Sequence, residues 1–225
     1  MCWNKEVSIS SFVLISLLCY KLYIRNLAND RLLAVFIMTY GSMQLFEALI
    51  WTGIDFKMPW LNYFGSFLGS IVLFTHALGL IYGMTIDKSY QENKNTQKFK
   101  RMKMAALSIF IFGVVYIVYN IYQKNYPYSL VINDSLHWNF GKYYIAVFLI
   151  CIYISTIIYE KNKHFWRVVI GYFTIPIIIM IYLGKYTNSY WCWYVAFFAF
   201  LLYLINPMLQ KFNIENNKTN DLKLN

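Results

Sequence analysis

Seven long apolar stretches, separated by polar connectors, dominate the hydrophobic pattern of this chain. A hydrocarbon core ~30 Å thick is crossed by a helix of about 20 apolar residues, and a helix satisfies its own backbone groups in lipid. The pattern therefore predicts seven transmembrane helices, at approximately residues 9–24, 32–54, 58–86, 104–122, 143–159, 166–183 and 190–209. We expect an all-α, polytopic membrane domain over residues 1–210, formed by a single bundle, with a polar tail at residues 211–225.

The composition agrees with a membrane protein and argues against two other classes. Hydrophobic residues make up 59% of the 225 residues and charged residues only 13%, about half the charged fraction of a typical soluble domain. A water-soluble domain would carry more charge, and a disordered chain would carry far fewer apolar residues.

The basic residues predict the orientation in the membrane, because Lys and Arg accumulate in short cytoplasmic loops. Of the 20 Lys and Arg residues, 15 fall on the side of the first, third and fifth connectors and the tail, and the other 5 fall on the opposite side. This split predicts an extracytoplasmic N-terminus and a cytoplasmic C-terminus. It also accounts for the net charge of +10 without a nucleic-acid partner.

The densest basic group precedes the fourth predicted helix and consists of Lys98, Lys100, Arg101 and Lys103. One interpretation is a purely topological role. The other is contact with anionic lipid headgroups at the cytoplasmic face, at ~1 kcal/mol per charge.

The four cysteines form no CxxC pair and have no Cys/His metal-ligand spacing, so we expect no metal site. Cys2 and Cys192 both fall on the predicted outer side, where they form either a disulfide or two free thiols. Asn133 begins an Asn-Asp-Ser sequon in a predicted outer loop and is a candidate N-glycosylation site.

The second predicted helix carries an acidic residue well inside a span. Tyr40, Gln44, Glu47 and Trp51 are spaced by 4, 3 and 4 residues, which places them on one helical face. A charged carboxylate in the membrane costs ~2.5 to 3.5 kcal/mol on insertion scales, so Glu47 should face the bundle interior. It is either a proton or cation site in a transport path, or a polar clamp with Gln44 that fixes helix packing.

The third predicted helix carries a stripe of small residues that is interrupted by one histidine. Its positions, at steps of 4, 3, 4, 3 and 4, are Gly65, Gly69, Val72, His76, Gly79 and Gly83. Such a stripe lets helix backbones approach closely, so His76 should contact a neighbouring helix. Antiparallel helices would separate it from Glu47 by about 10 Å in depth. This separation favours a packing role for His76. The alternative is that His76 joins Gln44, Glu47 and Trp51 in one intramembrane polar site, through a helix tilt or a bridging water.

The chain contains no HExxH, GxSxG, P-loop or dinucleotide-binding glycine pattern. We therefore expect neither a catalytic site nor a cofactor. Two function classes stay open: a small proton or cation transporter or channel-like protein, and a non-transporting scaffold or receptor-like protein.

Three segments carry a resemblance to a known family: the opening MCWNKEVS, the Tyr23–Arg31 loop, and the Met43–Trp51 segment MQLFEALIW. Together they resemble a family of uncharacterised multi-pass membrane proteins of microbial eukaryotes and large DNA viruses, which open MCWS and carry MQxxEAxxW. The resemblance covers about the first 55 residues, and Asn4 replaces the usual Ser. It implies a multi-pass fold, marks Gln44, Glu47 and Trp51, and implies a host-cell membrane if the gene is viral.

Overall fold

A computed structural model of the protein describes residues 4–93, 95–123, 127–132, 135–138, 195–208 and 211. The spans predicted at residues 143–159 and 166–183 lie outside these residues, as does the tail after residue 211.

The described chain is almost entirely helical. Its long helices are α1 (Lys5–Arg25), α2 (Asp30–Asp55), α3 (Pro59–Ile86) and α4 (Gln97–Tyr122). Each of these four is long and apolar enough to cross a membrane, and a shorter apolar helix, α5, covers Val195–Met208. The prediction of an all-α protein with several candidate membrane spans is confirmed at this level. The count of seven and the orientation stay predictions.

α1 and α4 begin before the apolar stretches that predict them, because capping side chains set their N-terminal ends. α1 begins at Lys5, where the Asn4 Oδ1 atom accepts a hydrogen bond from the Val7 N–H at 2.8 Å. α4 begins seven residues before the predicted position, where the Thr96 hydroxyl accepts one from the Phe99 N–H at 3.2 Å. Hydropathy locates the membrane-spanning part of a helix, whereas caps locate its termini.

The described helices alternate in direction. At one end, here called the basic end, α1 and α3 finish, α2 and α4 begin, and a short 3-10 helix (Lys88–Asn93) joins α3 to α4. At the other, the hairpin end, Lys5 of α1 lies 3.4 Å from the Asp55 carboxylate at the end of α2.

The hairpin end takes its name from two antiparallel strands, β1 (Ser129–Ile132) and β2 (Ser135–Trp138). Their register pairs Ser129 with Trp138 and Ile132 with Ser135. The hydropathy pattern does not predict this hairpin, because two strands of four residues each give no helical or membrane-spanning period. It is held against α3 by the hydrogen bonds of Asn62 to Ser129.

Glycines bring α2 and α3 into close contact. A Cβ atom added at Gly65 would lie 2.8 Å from Ile50 Cγ1 and 3.0 Å from the Phe46 carbonyl oxygen, and one added at Gly83 would lie 2.9 Å from the Leu32 carbonyl oxygen. The two other glycines of the stripe are buried, and Gly79 packs against Thr39. The small residues therefore define the line along which α3 meets α2.

Replacing Gly83 with Ala should lower the free energy of unfolding by about 1 to 3 kcal/mol, because the added methyl group meets the α2 backbone rather than a flexible side chain. Thermal or denaturant unfolding in detergent measures the change. Thr85→Ala, two residues away on the same helix, is the control and should change the unfolding free energy far less. Equal stability of Gly83→Ala and wild type would contradict this account of the α2–α3 contact.

Candidate functional site

The polar face of α2 is enclosed by protein. The Gln44 side chain is 0% exposed and that of Glu47 is 1% exposed, and Tyr40 and Trp51 on the same face are buried as well. Phe46 and Ile50 contact α3 at Gly65. Successive residues of a helix are about 100° apart, so Glu47 lies about a quarter turn around α2 from this line of contact with α3. The carboxyl group thus faces the interior of the bundle and not lipid.

The surroundings of this face at the hairpin end are mainly apolar. Trp51 belongs to a buried cluster with Met43, Ile50, Leu73 and Leu136, to which α2, α3 and β2 all contribute. A carboxyl group in such a setting interacts strongly with any polar group or ion that reaches it, because little water screens the interaction.

His76 forms part of the α2–α3 packing. Its ring is 1% exposed and stacks on the Tyr40 ring, with centroids 3.9 Å apart and planes 16° from parallel. The Nδ1 atom lies 2.9 Å from the Leu73 carbonyl oxygen of the preceding turn. Since Tyr40 precedes Glu47 by seven residues, His76 lies about 10 Å along α2 from Glu47.

A second buried polar group lies on α3 near the hairpin end. The Asn62 amide donates to the Ser129 carbonyl oxygen at 2.9 Å, and its Oδ1 atom accepts from the Ser129 N–H at 3.0 Å. The Ser66 hydroxyl lies 2.7 Å from the Ser129 hydroxyl, and the Ser70 hydroxyl donates to the Ser66 carbonyl oxygen at 2.8 Å. We call Asn62, Ser66, Ser70 and Ser129 the α3 polar column. All four are at most 2% exposed.

The α3 polar column is not among the site residues that the sequence predicts, because on this helix the prediction rests on the glycine stripe. Asn62, Ser66 and Ser70 recur every four residues, so the signal was present as a polar face beside the small-residue face. Ser129 gives no such signal, because its connection to α3 joins positions 67 residues apart.

At the basic end, a partly buried ion pair joins α1, α2 and α5. The Arg25 Nε and Nη2 atoms each lie 2.8 Å from a carboxylate oxygen of Asp30, which is 0% exposed. Asp30 also accepts from the Leu27 N–H and from the Asn206 side-chain amide. Arg25 donates to the Tyr203 carbonyl oxygen and stacks over the Tyr203 ring at 4.4 Å.

A second buried carboxylate, Asp87, caps the start of α2 from the end of α3. It accepts hydrogen bonds from the backbone N–H groups of Asn29, Arg31 and Leu32 at 3.2 to 3.3 Å, and from that of Ser89 at 2.9 Å. A helix N-terminus exposes unpaired N–H groups and a partial positive charge, and a carboxylate satisfies both. Asp30 and Asp87 thus have a structural role at the basic end that the sequence pattern does not predict.

The remaining predicted site residues fall into two groups. The basic group of α4 is exposed along the first two turns of that helix, at Lys98, Lys100, Arg101 and Lys103. Cys2, Cys192 and Asn133 lie outside the described residues. Within the described part of the chain, no group of three or more His, Cys, Asp or Glu side chains could hold a metal ion.

No protein-family model, curated protein or solved structure matches the chain. The family resemblance of the first 55 residues therefore stays a prediction, and function is argued from the geometry alone.

Asp30→Ala should lower the free energy of unfolding by about 3 kcal/mol, because it leaves Arg25 without its carboxylate partner in a largely buried position. Asp55→Ala removes the partner of Lys5 at the hairpin end, where Asp55 is 47% exposed, and should cost less than about 1 kcal/mol. Denaturant unfolding of both variants in the same detergent measures the difference. Equal losses would show that the Arg25–Asp30 pair is no more important than a surface pair.

Proposed function

We propose that this chain is a multi-pass membrane protein that moves protons or small cations across a bilayer along a path that includes Glu47. One observation carries the proposal: the Glu47 carboxyl group is 1% exposed, faces the bundle interior, and lies one turn from the buried amide of Gln44. Ionisable groups inside membrane spans are costly, and they commonly mark ion pathways or proton relays.

The α3 polar column supports this proposal because it lies at about the same depth in the bundle as Glu47. From Asn62 to Ser70, it extends about 12 Å along α3 from the hairpin end. Glu47 precedes the last residue of α2, Asp55, by eight residues, also about 12 Å. Hydroxyl, amide and carboxyl oxygens therefore occupy the same half of the bundle, and oxygen atoms are the ligands that hard cations prefer.

The proposal includes the topology that the sequence predicts. Seven spans with the N-terminus outside would place the hairpin end, Asn133 and the pair Cys2 and Cys192 on the extracytoplasmic side. The basic end, the α4 basic group and the tail would face the cytoplasm. The α3 polar column would then lie buried in the outer half of the bundle, and no enzymatic activity or cofactor is part of the function.

A second candidate function is a non-transporting scaffold or receptor-like protein, and the surroundings of His76 favour it. Its ring is stacked on Tyr40 and bonded to the Leu73 carbonyl oxygen, as expected of a histidine that only packs. In this alternative, Gln44 and Glu47 also serve to lock helices together.

Proton and alkali-cation flux in liposomes containing the purified protein tests the proposal. We expect wild-type flux above that of protein-free liposomes, and Glu47→Gln should return it to that background, because the amide cannot exchange a proton or carry a charge. Glu6→Gln is the matched control: Glu6 is an exposed acidic residue in the first turn of α1, and its loss should leave flux unchanged.

The same variants separate the two candidate functions. If wild type and Glu47→Gln are both folded and neither conducts, the transport proposal fails. A packing role predicts in addition that Glu47→Leu lowers the thermal unfolding midpoint more than Glu47→Gln does, because leucine removes every hydrogen bond of the carboxyl group.

A further inference from the structure

A groove of about 510 Å³ runs between α1 and α2 on the outside of the described bundle. We call it the α1–α2 groove. Its α1 wall is formed by Ser16, Cys19, Tyr20 and Tyr23, and its α2 wall by Ala34, Val35, Met38, Thr39 and Ser42. Tyr20 and Tyr23 are 61% and 44% exposed, so the groove is open to whatever surrounds α1.

The surface beside the groove is the one that a membrane-spanning α1 presents to lipid. Leu17 and Ile24 are 57% and 60% exposed on the same helix. In a helix that crosses a bilayer, such side chains contact acyl chains. In a membrane the groove would therefore face the lipid, which is the most abundant molecule around it.

Arg31 lies at the basic end of the groove. It precedes Val35, Met38 and Ser42 by four, seven and eleven residues, which places it on the α2 face that lines the groove. Its guanidinium carbon lies 5.0 Å from the centroid of the Tyr23 ring, which is part of the α1 wall. A cationic side chain thus lies against Tyr23, one of the residues that line the groove.

The guanidinium of Arg31 has no carboxylate partner among the described residues, where the ion pairs are those of Lys5 and Arg25. Its Nε atom is buried and has no hydrogen-bond acceptor there either. Arg25, six residues earlier, is by contrast fully engaged by Asp30. A guanidinium that faces no carboxylate can pair with an anionic oxygen through its other N–H groups, those of the Nη atoms.

The length of the groove fits one leaflet. From Arg31 to Ser42 the α2 wall extends about 16 Å at 1.5 Å per residue, close to half of a hydrocarbon core ~30 Å thick. A molecule with a phosphate at Arg31 and an acyl chain along the groove would match both the charge and the length.

We propose that the α1–α2 groove is a binding site for an anionic phospholipid, whose phosphate contacts Arg31 and whose acyl chain lies between Tyr20 and Met38. The site requires only that α1 and α2 span a membrane, and it does not depend on ion transport. It is distinct from the exposed basic group of α4, which lies on another helix.

Native mass spectrometry of the full chain, purified in detergent, tests the site. The protein is mixed with equal amounts of phosphatidylglycerol and phosphatidylcholine that have the same acyl chains. Wild type should retain one phosphatidylglycerol molecule in preference to phosphatidylcholine. Arg31→Gln should reduce this preference at least about fivefold, because it removes the charged donor to the phosphate.

Two further variants make the result specific to the groove. Lys88→Gln removes an exposed cation at the same end of the bundle and should leave the preference unchanged. Val35→Trp fills the groove without changing charge and should reduce retention of both lipids. Thermal unfolding of each variant establishes that it is folded.

Several outcomes would overturn the proposal. Equal retention of the two lipids by wild type would indicate a groove that takes any acyl chain. An unchanged preference in folded Arg31→Gln would place the anionic site elsewhere, and an equal loss in Lys88→Gln would reduce it to general attraction by charge. A dimer that retains no lipid would mean that a second copy covers the groove.

Discussion

The start of α2 is the point on which the described structure depends, because two buried carboxylates fix it from two directions. Asp87 at the end of α3 accepts the first backbone N–H groups of α2. Asp30, within α2, holds Arg25 of α1 and Asn206 of α5. In an apolar interior these groups are stable only when their hydrogen bonds are all formed together, so they specify how the helices align.

The helical part of this architecture could be predicted from the sequence because hydrophobic length and period are local properties. The position of Glu47 on a shared face with Gln44 follows from the 4, 3, 4 spacing in the same way. The contact of Asp87 with residues 29 to 32 joins positions more than 50 residues apart, and the contact of Asn62 with Ser129 joins positions 67 apart. Such pairings depend on how the helices fold together, which a local pattern does not encode.

The glycine stripe of α3 shows that a correct local pattern still leaves the contacts of a helix undetermined. Its spacing predicts close approach to a neighbour, and Gly65 and Gly83 do contact α2. The spacing cannot say which neighbour, nor that His76 on the stripe would stack on Tyr40. Asn62 and Ser66, four residues apart on the same helix, are equally visible in the sequence. Their importance depends on Ser129, which only the folded chain brings beside them.

The anchoring of α2 also constrains how an ion could pass Glu47. The helix is held at the basic end by Asp87 and at the hairpin end by Gly53, where an added Cβ would lie 2.7 Å from the Asn62 backbone nitrogen. Sliding α2 along its axis would break the Asp87 hydrogen bonds and force the glycine contacts apart at the same time. Any conformational change that opens a path to Glu47 should therefore come from the elements that cover its face, with α2 and α3 as the fixed part of the protein.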